Sequence, residues 1–152
     1  MPLNVTVHLH DKRWKKLLHP YCKTVRDTCE EALPNGQYEI AVVLADDAFI
    51  KVLNRDFRGK NSPTNVLSFP SDGLLEKGTK QKHLGDIVMA LETVEREARS
   101  QKKSFKHHAI HLLVHGTLHL LGYDHEQEDD AEAMESKEIK ILKKLKVNNP
   151  YL

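Results

Sequence analysis

An excess of either charge is what this chain most lacks: Lys and Arg total 23 against 22 Asp and Glu, so its 152 residues carry a formal net charge of +1. A near-neutral total does not announce a nucleic-acid binder, whose electrostatic footprint is a basic excess. There is no apolar stretch of about 18 residues, the length that spans a bilayer. Nor does a basic segment followed by an apolar run open the chain. Membrane insertion and secretion are both unsupported, and a cytoplasmic location is expected. Cysteine is scarce, and Cys22 and Cys29 fall seven residues apart in a predicted helix. That spacing puts their Cα atoms roughly 10 Å apart, beyond disulfide reach, and is unusual for zinc-binding cysteines. Both are expected to be reduced and buried. Repeats and an evident linker are absent, and 39% hydrophobic with 30% charged residues is the composition of a soluble globular protein. The length fits one domain over residues 1–152.

Apolar and β-branched residues predict strands at Asn4 to Leu9 and Tyr38 to Leu44, with a helix from about Lys12 to Leu33 between them, ending before Pro34 and Gly36. Asp46 and Asp47 are fitting N-caps for a helix to about Phe57, in which Phe49, Ile50, Leu53 and Phe57 recur at helical spacing and which delivers Arg58 at its end. Short strands at Asn65 to Phe69 and Asp86 to Ala90 flank a loop carrying Gly73 and Gly78. Helices follow at Glu92 to Gln101, Ser104 to Leu121 and Glu128 to Lys146. Strands interleaved with helices make this an α+β or mixed α/β fold, a single domain with a sheet of about four strands and the helix from Ser104 packed on one sheet face.

The segment HGTLHLLGYDH places His115, His119 and His125 at offsets of zero, four and ten, with Gly122 at offset seven. Histidines four apart on a helix share a face, so both imidazoles reach one metal. An unbroken helix would carry the third about 15 Å along the axis and off that face, because each residue rises about 1.5 Å and turns about 100°. The helix must therefore stop between His119 and His125. Gly122 stands where a left-handed C-terminal cap is wanted. Three histidines leave one tetrahedral position open, the arrangement of a catalytic zinc, where water ionises near neutral pH. His107, His108 and His111 precede the motif on the same helix. An ordinary polar position is the preferred expectation for them; the alternative for His111, one turn before His115, is that it faces the site as a supporting or substrate residue.

The offsets match the zinc-protease pattern HExxHxxGxxH, whose glutamate is the general base, but that position here is Gly116. Glycine can neither take a proton from water nor pass one to a leaving amine. Asp124 and Glu126, flanking the third histidine, are candidate substitutes, and Asp124 is equally suited to orienting a histidine ring. Three neutral imidazoles leave the metal's charge uncompensated, which favours an anionic substrate. The stretch LNRDFRGKNSPTNVLSFP, from Leu53 to Pro70, supplies Arg55, Arg58 and Lys60 at the start of a loop rich in Gly, Asn, Ser and Pro. Arginine matches phosphate with a planar fork of donors and stabilises charge developing on its oxygens. The competing reading is a solvated cationic helix end that favours the helix dipole. Lysine and arginine also cluster at Lys12 to Lys16, Lys77 to Lys82 and Lys102 to Lys106, whereas acidic residues concentrate from Glu126 to Glu138. A track for a phosphate-bearing ligand is therefore expected to run from the Arg58 side.

Taken in order, FRGKNSPTNVLSFP at 57–70, LGDIVMA at 84–90 and HGTLHLLGYDH at 115–125 resemble the YbeY family of bacterial zinc-dependent endoribonucleases, over nearly the whole chain. The resemblance implies one zinc ion held by His115, His119 and His125, and a functional role for Arg58 beside His115. It also implies a single-strand-specific ribonuclease acting in maturation of the 3′ end of small-subunit ribosomal RNA and in ribosome quality control. Ribosomal RNA, the ribosomal subunit and assembly proteins are its implied partners. Two other readings stay open: a zinc peptidase or amidase with a non-standard base, and a non-catalytic ribosome-assembly factor with structural zinc.

Overall fold

A computed structural model describes residues 3–34, 38–71, 82–123 and 127–152. Four strands, β1 (Leu3–Leu9), β2 (Tyr38–Ala45), β3 (Val66–Pro70) and β4 (Lys82–Ala90), form one mixed sheet in the order β1-β2-β4-β3. The first three in that order run parallel, and β3 pairs antiparallel with β4 at the edge. The helices are α1 (Arg13–Leu17), α2 (Tyr21–Ala32), α3 (Asp47–Arg58), α4 (Leu91–Ser100), α5 (Phe105–Leu120) and α6 (Glu128–Lys144). The expected mixed α/β architecture is the one found.

Central strands covered on both faces read as continuous apolar runs rather than alternating ones. In β2, Ile40, Val42 and Leu44 meet Ile87 and Met89 of β4 in the core beneath α2 and α5, while Ala45, Val88 and Ala90 turn to the opposite face against Ile50 of α3. α5 is buried on nearly every side, from Ala109 through Leu120, because α6 covers its outer face with Met134, Ile141 and Leu142. The helix bearing the histidines is thus a central strut packed on one sheet face.

The predicted helix from Lys12 to Leu33 is two helices. Pro20 breaks it, since a proline in a helix interior removes a hydrogen bond and clashes with the carbonyl four residues earlier. α1 is instead held to the end of β2 by the buried Trp14 indole, which donates to Ala45 O at 2.8 Å. Cys29 is buried in α2 as expected, but Cys22 is exposed. Burial pushes the Cys29 thiol up to about 12, so it stays protonated. β4 begins at Lys82 rather than at Asp86. Its register with β2 shifts between Glu39 and Ile40, where Gly85 takes φ 145°. A Cβ there would overlap Phe69 O and come within 2.9 Å of Leu120 Cδ2. That glycine lets the edge strand β3 lie close beside the end of α5. Other element ends differ from expectation by one or two residues, the usual scatter. The loop with Gly73 and Gly78 lies outside the described residues, as do Gly36, Lys77 and Lys80. No helix among the described residues is long and apolar enough to cross a membrane.

Candidate active site

α5 starts where Ser104 accepts a hydrogen bond from His107 N at 3.1 Å, satisfying one of the orphan donors of its first turn. It stops where anticipated. Gly122 takes φ 102°, donating to His119 O at 3.0 Å, and Tyr123 N donates to Leu118 O at 3.0 Å. His115 and His119 therefore occupy the last two turns, with ring centroids 4.6 Å apart and their Nε2 atoms converging to 3.0 Å. His125, Asp124 and Glu126 lie outside the described residues. Among the described residues no group of three or more His, Cys, Asp and Glu is placed to hold a metal.

The spacing of the two Nε2 atoms fits a shared ion, because two zinc-bound nitrogens in a tetrahedral shell stand roughly 3.3 Å apart for Zn–N bonds near 2.0–2.1 Å. The other ring nitrogen of His115 is engaged from behind. Its Nδ1 donates to Glu138 Oε1 at 2.8 Å, which directs Nε2 outward. Glu138 comes from α6 and has no exposed surface. Its second oxygen accepts from the Tyr151 hydroxyl at 2.6 Å, and His111 Nε2 lies 3.4 Å from the first. Burial alone would raise the Glu138 carboxyl. Hydrogen bonds from His111, His115 and Tyr151 outweigh it and hold the group at about 2, against an ordinary 4.5. Burial first, and the Glu138 carboxylate second, push the Tyr151 phenol up.

Sequence reasoning counts Glu138 only as the end of an acidic stretch, whereas it is fully buried behind His115; it leaves Tyr151 unremarked and prefers an ordinary polar position for His111. Glu138 had a readable signal: on α6 it falls at helical spacing with the buried Met134, Ile141 and Leu142, so a charged residue occupies the inward stripe. His107 is exposed. His108 is 3% exposed and bonds Glu97 at 2.8 Å, and Glu97 in turn accepts from Asn65 Nδ2 at 3.0 Å.

A cavity of about 710 Å³ opens over the two histidines, and Arg58, Lys60, Thr64, Asn65 and Ser68 also line it. Arg58 ends α3 and is exposed, and among the described residues it makes no ion pair, unlike Arg55, whose Nε bonds Asp56 at 3.0 Å. The turn that follows is fixed. Gly59 caps α3 in the left-handed region at φ 71°, Lys60 N donates to Asn54 O at 3.2 Å, and the buried Asn54 side chain donates to Ser62 O at 2.8 Å. In the other basic clusters, among the described residues, Arg13 pairs with Asp11, while Lys103 and Lys106 donate to Pro150 O and His19 O.

Gly116, where a peptidase of this spacing would carry its glutamate, packs against β3. A Cβ there would stand 3.1 Å from Ser68 Oγ and 3.4 Å from Ile87 Cγ2. Ser68 Oγ donates to Gly116 O at 3.2 Å, so strand and helix are stitched at the site. A side chain at position 116 is therefore tight and needs the Ser68 hydroxyl to give way by a few tenths of an ångström.

Fold and site together define a mixed α/β protein whose central helix carries a histidine pair into a cleft walled by basic and neutral polar groups. The chain belongs to the Endoribonuclease YbeY family, whose model matches residues 4–146. It is similar to the Endoribonuclease YbeY of Bradyrhizobium diazoefficiens, 53% identical over 119 residues, which is 76% of this chain and 65% of that protein, just under two thirds of its length. It is also similar to the Endoribonuclease YbeY of Rhizobium etli, 42% identical over 98% of this chain and 93% of that protein. A solution structure from Thermotoga maritima matches with a TM-score of 0.56 at 27% identity, covering 97% of this chain and 95% of that one.

Proposed function

We propose that the chain is a metal-dependent endoribonuclease acting on single-stranded RNA. The observation that carries the reading is the convergence of His115 and His119 Nε2 atoms at 3.0 Å inside a cavity walled by Arg58 and Lys60. Family membership supports it, and so does the fit of the nitrogen spacing to one zinc ion. His115 and His119 would hold that ion, with His125 as third ligand. When bound, zinc supplies Lewis acidity toward water and toward a phosphoryl oxygen. Glu138 keeps the His115 proton on Nδ1 and the ring fixed. Arg58 meets the charge that develops on the non-bridging phosphate oxygens, and Lys60 adds a point charge beside it. Asn65, whose Nδ2 donates to Glu97 and whose Oδ1 accepts from Val66 N, ties the start of β3 to α4 at the cavity wall. Ribosomal RNA as the substrate, with action at the 3′ end of its small-subunit species, in ribosome quality control and in the cytoplasm, belongs to the same reading.

The peptidase reading has nothing to favour it at position 116. A purely structural zinc predicts a wild type that binds ribosomal particles and turns over no RNA. The test is digestion of single-stranded RNA by metal-analysed wild type beside Arg58→Ala and His119→Ala. Wild type should cleave, and chelation should stop it. Full cleavage by metal-free protein overturns the proposal.

A further inference from the structure

Tyr151 is 45% exposed, a large aromatic ring left partly open to solvent, and it lines the same cavity as the histidine pair. It is not loose. Its hydroxyl donates at 2.6 Å to the fully buried Glu138, its backbone N donates to Asn149 Oδ1 at 2.8 Å, and the preceding Pro150 O accepts from Lys103 Nζ at 3.3 Å. On its inner side the ring stands edge to face with His111, centroids 5.6 Å apart at 87°. An aromatic plane is thus immobilised at both ends with part of its surface turned to the cavity. Ordering it is complete before any ligand arrives, which is the condition under which an exposed ring binds best.

The chemistry of the surrounding wall says what fits against that plane. Among the described residues that line the cavity, Arg58 and Lys60 are basic and none is Asp or Glu, while the buried carboxylate of Glu138 is covered by Tyr151 itself. A ligand that suits this lining combines a repeated negative charge with flat, weakly polar rings. Unpaired nucleotides have both, and every base offers a π-face to an aromatic side chain. A base paired in a duplex keeps that face stacked on its neighbours.

We propose that Tyr151 is a stacking platform for one unpaired nucleobase beside the histidine pair, which sets the requirement for single strands. The inference rests on the RNA reading above. Hydrogen bonding of its hydroxyl to Glu138 gives the ring a fixed attitude, so the platform and the support of His115 share one carboxylate. Tyr151 is a binding residue here and takes no proton during cleavage.

The test uses the zinc-loaded full chain and an oligoribonucleotide of one sequence, intact or with a single abasic ribose moved along it. In wild type, one abasic position should raise KM by roughly 5- to 150-fold, the range that stacking one base is worth. Tyr151→Leu, which keeps apolar bulk without a plane, should raise KM for the intact strand by a similar factor and should be indifferent to that abasic position, because coupled losses do not add. Tyr151→Phe should recover affinity relative to Tyr151→Leu. Zinc content and thermal midpoint of each variant separate lost stacking from a damaged fold. The platform is overturned if no abasic position affects wild type, a result that needs no variant to fold. It is equally overturned if the Tyr151→Leu and abasic effects add. A wild type that neither binds nor cuts the intact strand sinks the RNA reading itself, whereas one that cuts it with no abasic penalty sinks only the platform.

Discussion

Nδ1 of His115 stands 2.8 Å from Oε1 of Glu138, a carboxylate with no exposed surface that arrives from α6, 23 residues further along the chain. A carboxylate behind a histidine fixes its tautomer and raises the basicity of the opposite nitrogen. Glu138→Gln keeps the size and an acceptor oxygen but removes the charge. Zinc affinity, measured by competition with a chromophoric chelator, should fall roughly 10- to 100-fold. Unchanged affinity would show that Glu138 serves packing alone.

Removing either member of the pair has a sharper consequence. His115→Ala and His119→Ala should each lose bound metal and RNA cleavage together, as read by metal analysis on purified protein. Arg58→Ala should keep its metal and lose roughly 100-fold in kcat, the scale of deleting one group that meets developing negative charge. Equal metal loss in all three would place Arg58 in the fold instead of the chemistry.

Position 116 tests whether the missing general base can be restored. Gly116→Glu places a Cβ 3.1 Å from Ser68 Oγ and 3.4 Å from Ile87 Cγ2, so the Ser68 side chain must give way. Overpacking of this kind costs about 1–3 kcal/mol. We expect a lowered denaturation midpoint and no peptide hydrolysis. A stable variant that cleaves unstructured peptides would revive the peptidase reading.

His108 gives a prediction in pH. Burial lowers its pKa below the ordinary 6.5, partly opposed by Glu97. The unfolded chain therefore takes up a proton near pH 6.5 that the folded chain resists. Stability from this residue is present above that pH and is lost as pH falls toward the folded value. Urea unfolding at pH 7.5 and 5.5 should show a larger loss in wild type than in His108→Gln, which cannot titrate. Equal losses would mean that the ring charges as freely inside as outside.

How much of this was legible beforehand follows from the range of the interactions. The start of α5 at Ser104 and its end at Gly122 are local events, written in side chains within three residues of the ends, and the motif disclosed them. The same is true of Asp46, whose carboxylate accepts from Phe49 N at 2.9 Å at the head of α3. Pro20 is equally local, a helix breaker within the span expected to be one helix. The start of β4 was harder, since Lys82, His83 and Gly85 carry no strand signal and are recruited by pairing with β2 and β3. Glu138 and Tyr151 were hardest. Nothing near them in sequence names His115 as their partner, and only the packing of α6 on α5 makes the association.

Asn54 has one further implication. By tying Ser62 O to the last turn of α3, it stiffens the turn that bears Lys60 and follows Arg58. Two cations standing close together repel each other, and a floppy bend would let them drift apart in the absence of a polyanion. If Arg58 and Lys60 bind phosphate as proposed, the backbone that carries them is already held in place by the Asn54–Ser62 bond. The rate at which strands are captured should then be governed by diffusion and ionic strength instead of by a search for loop conformations.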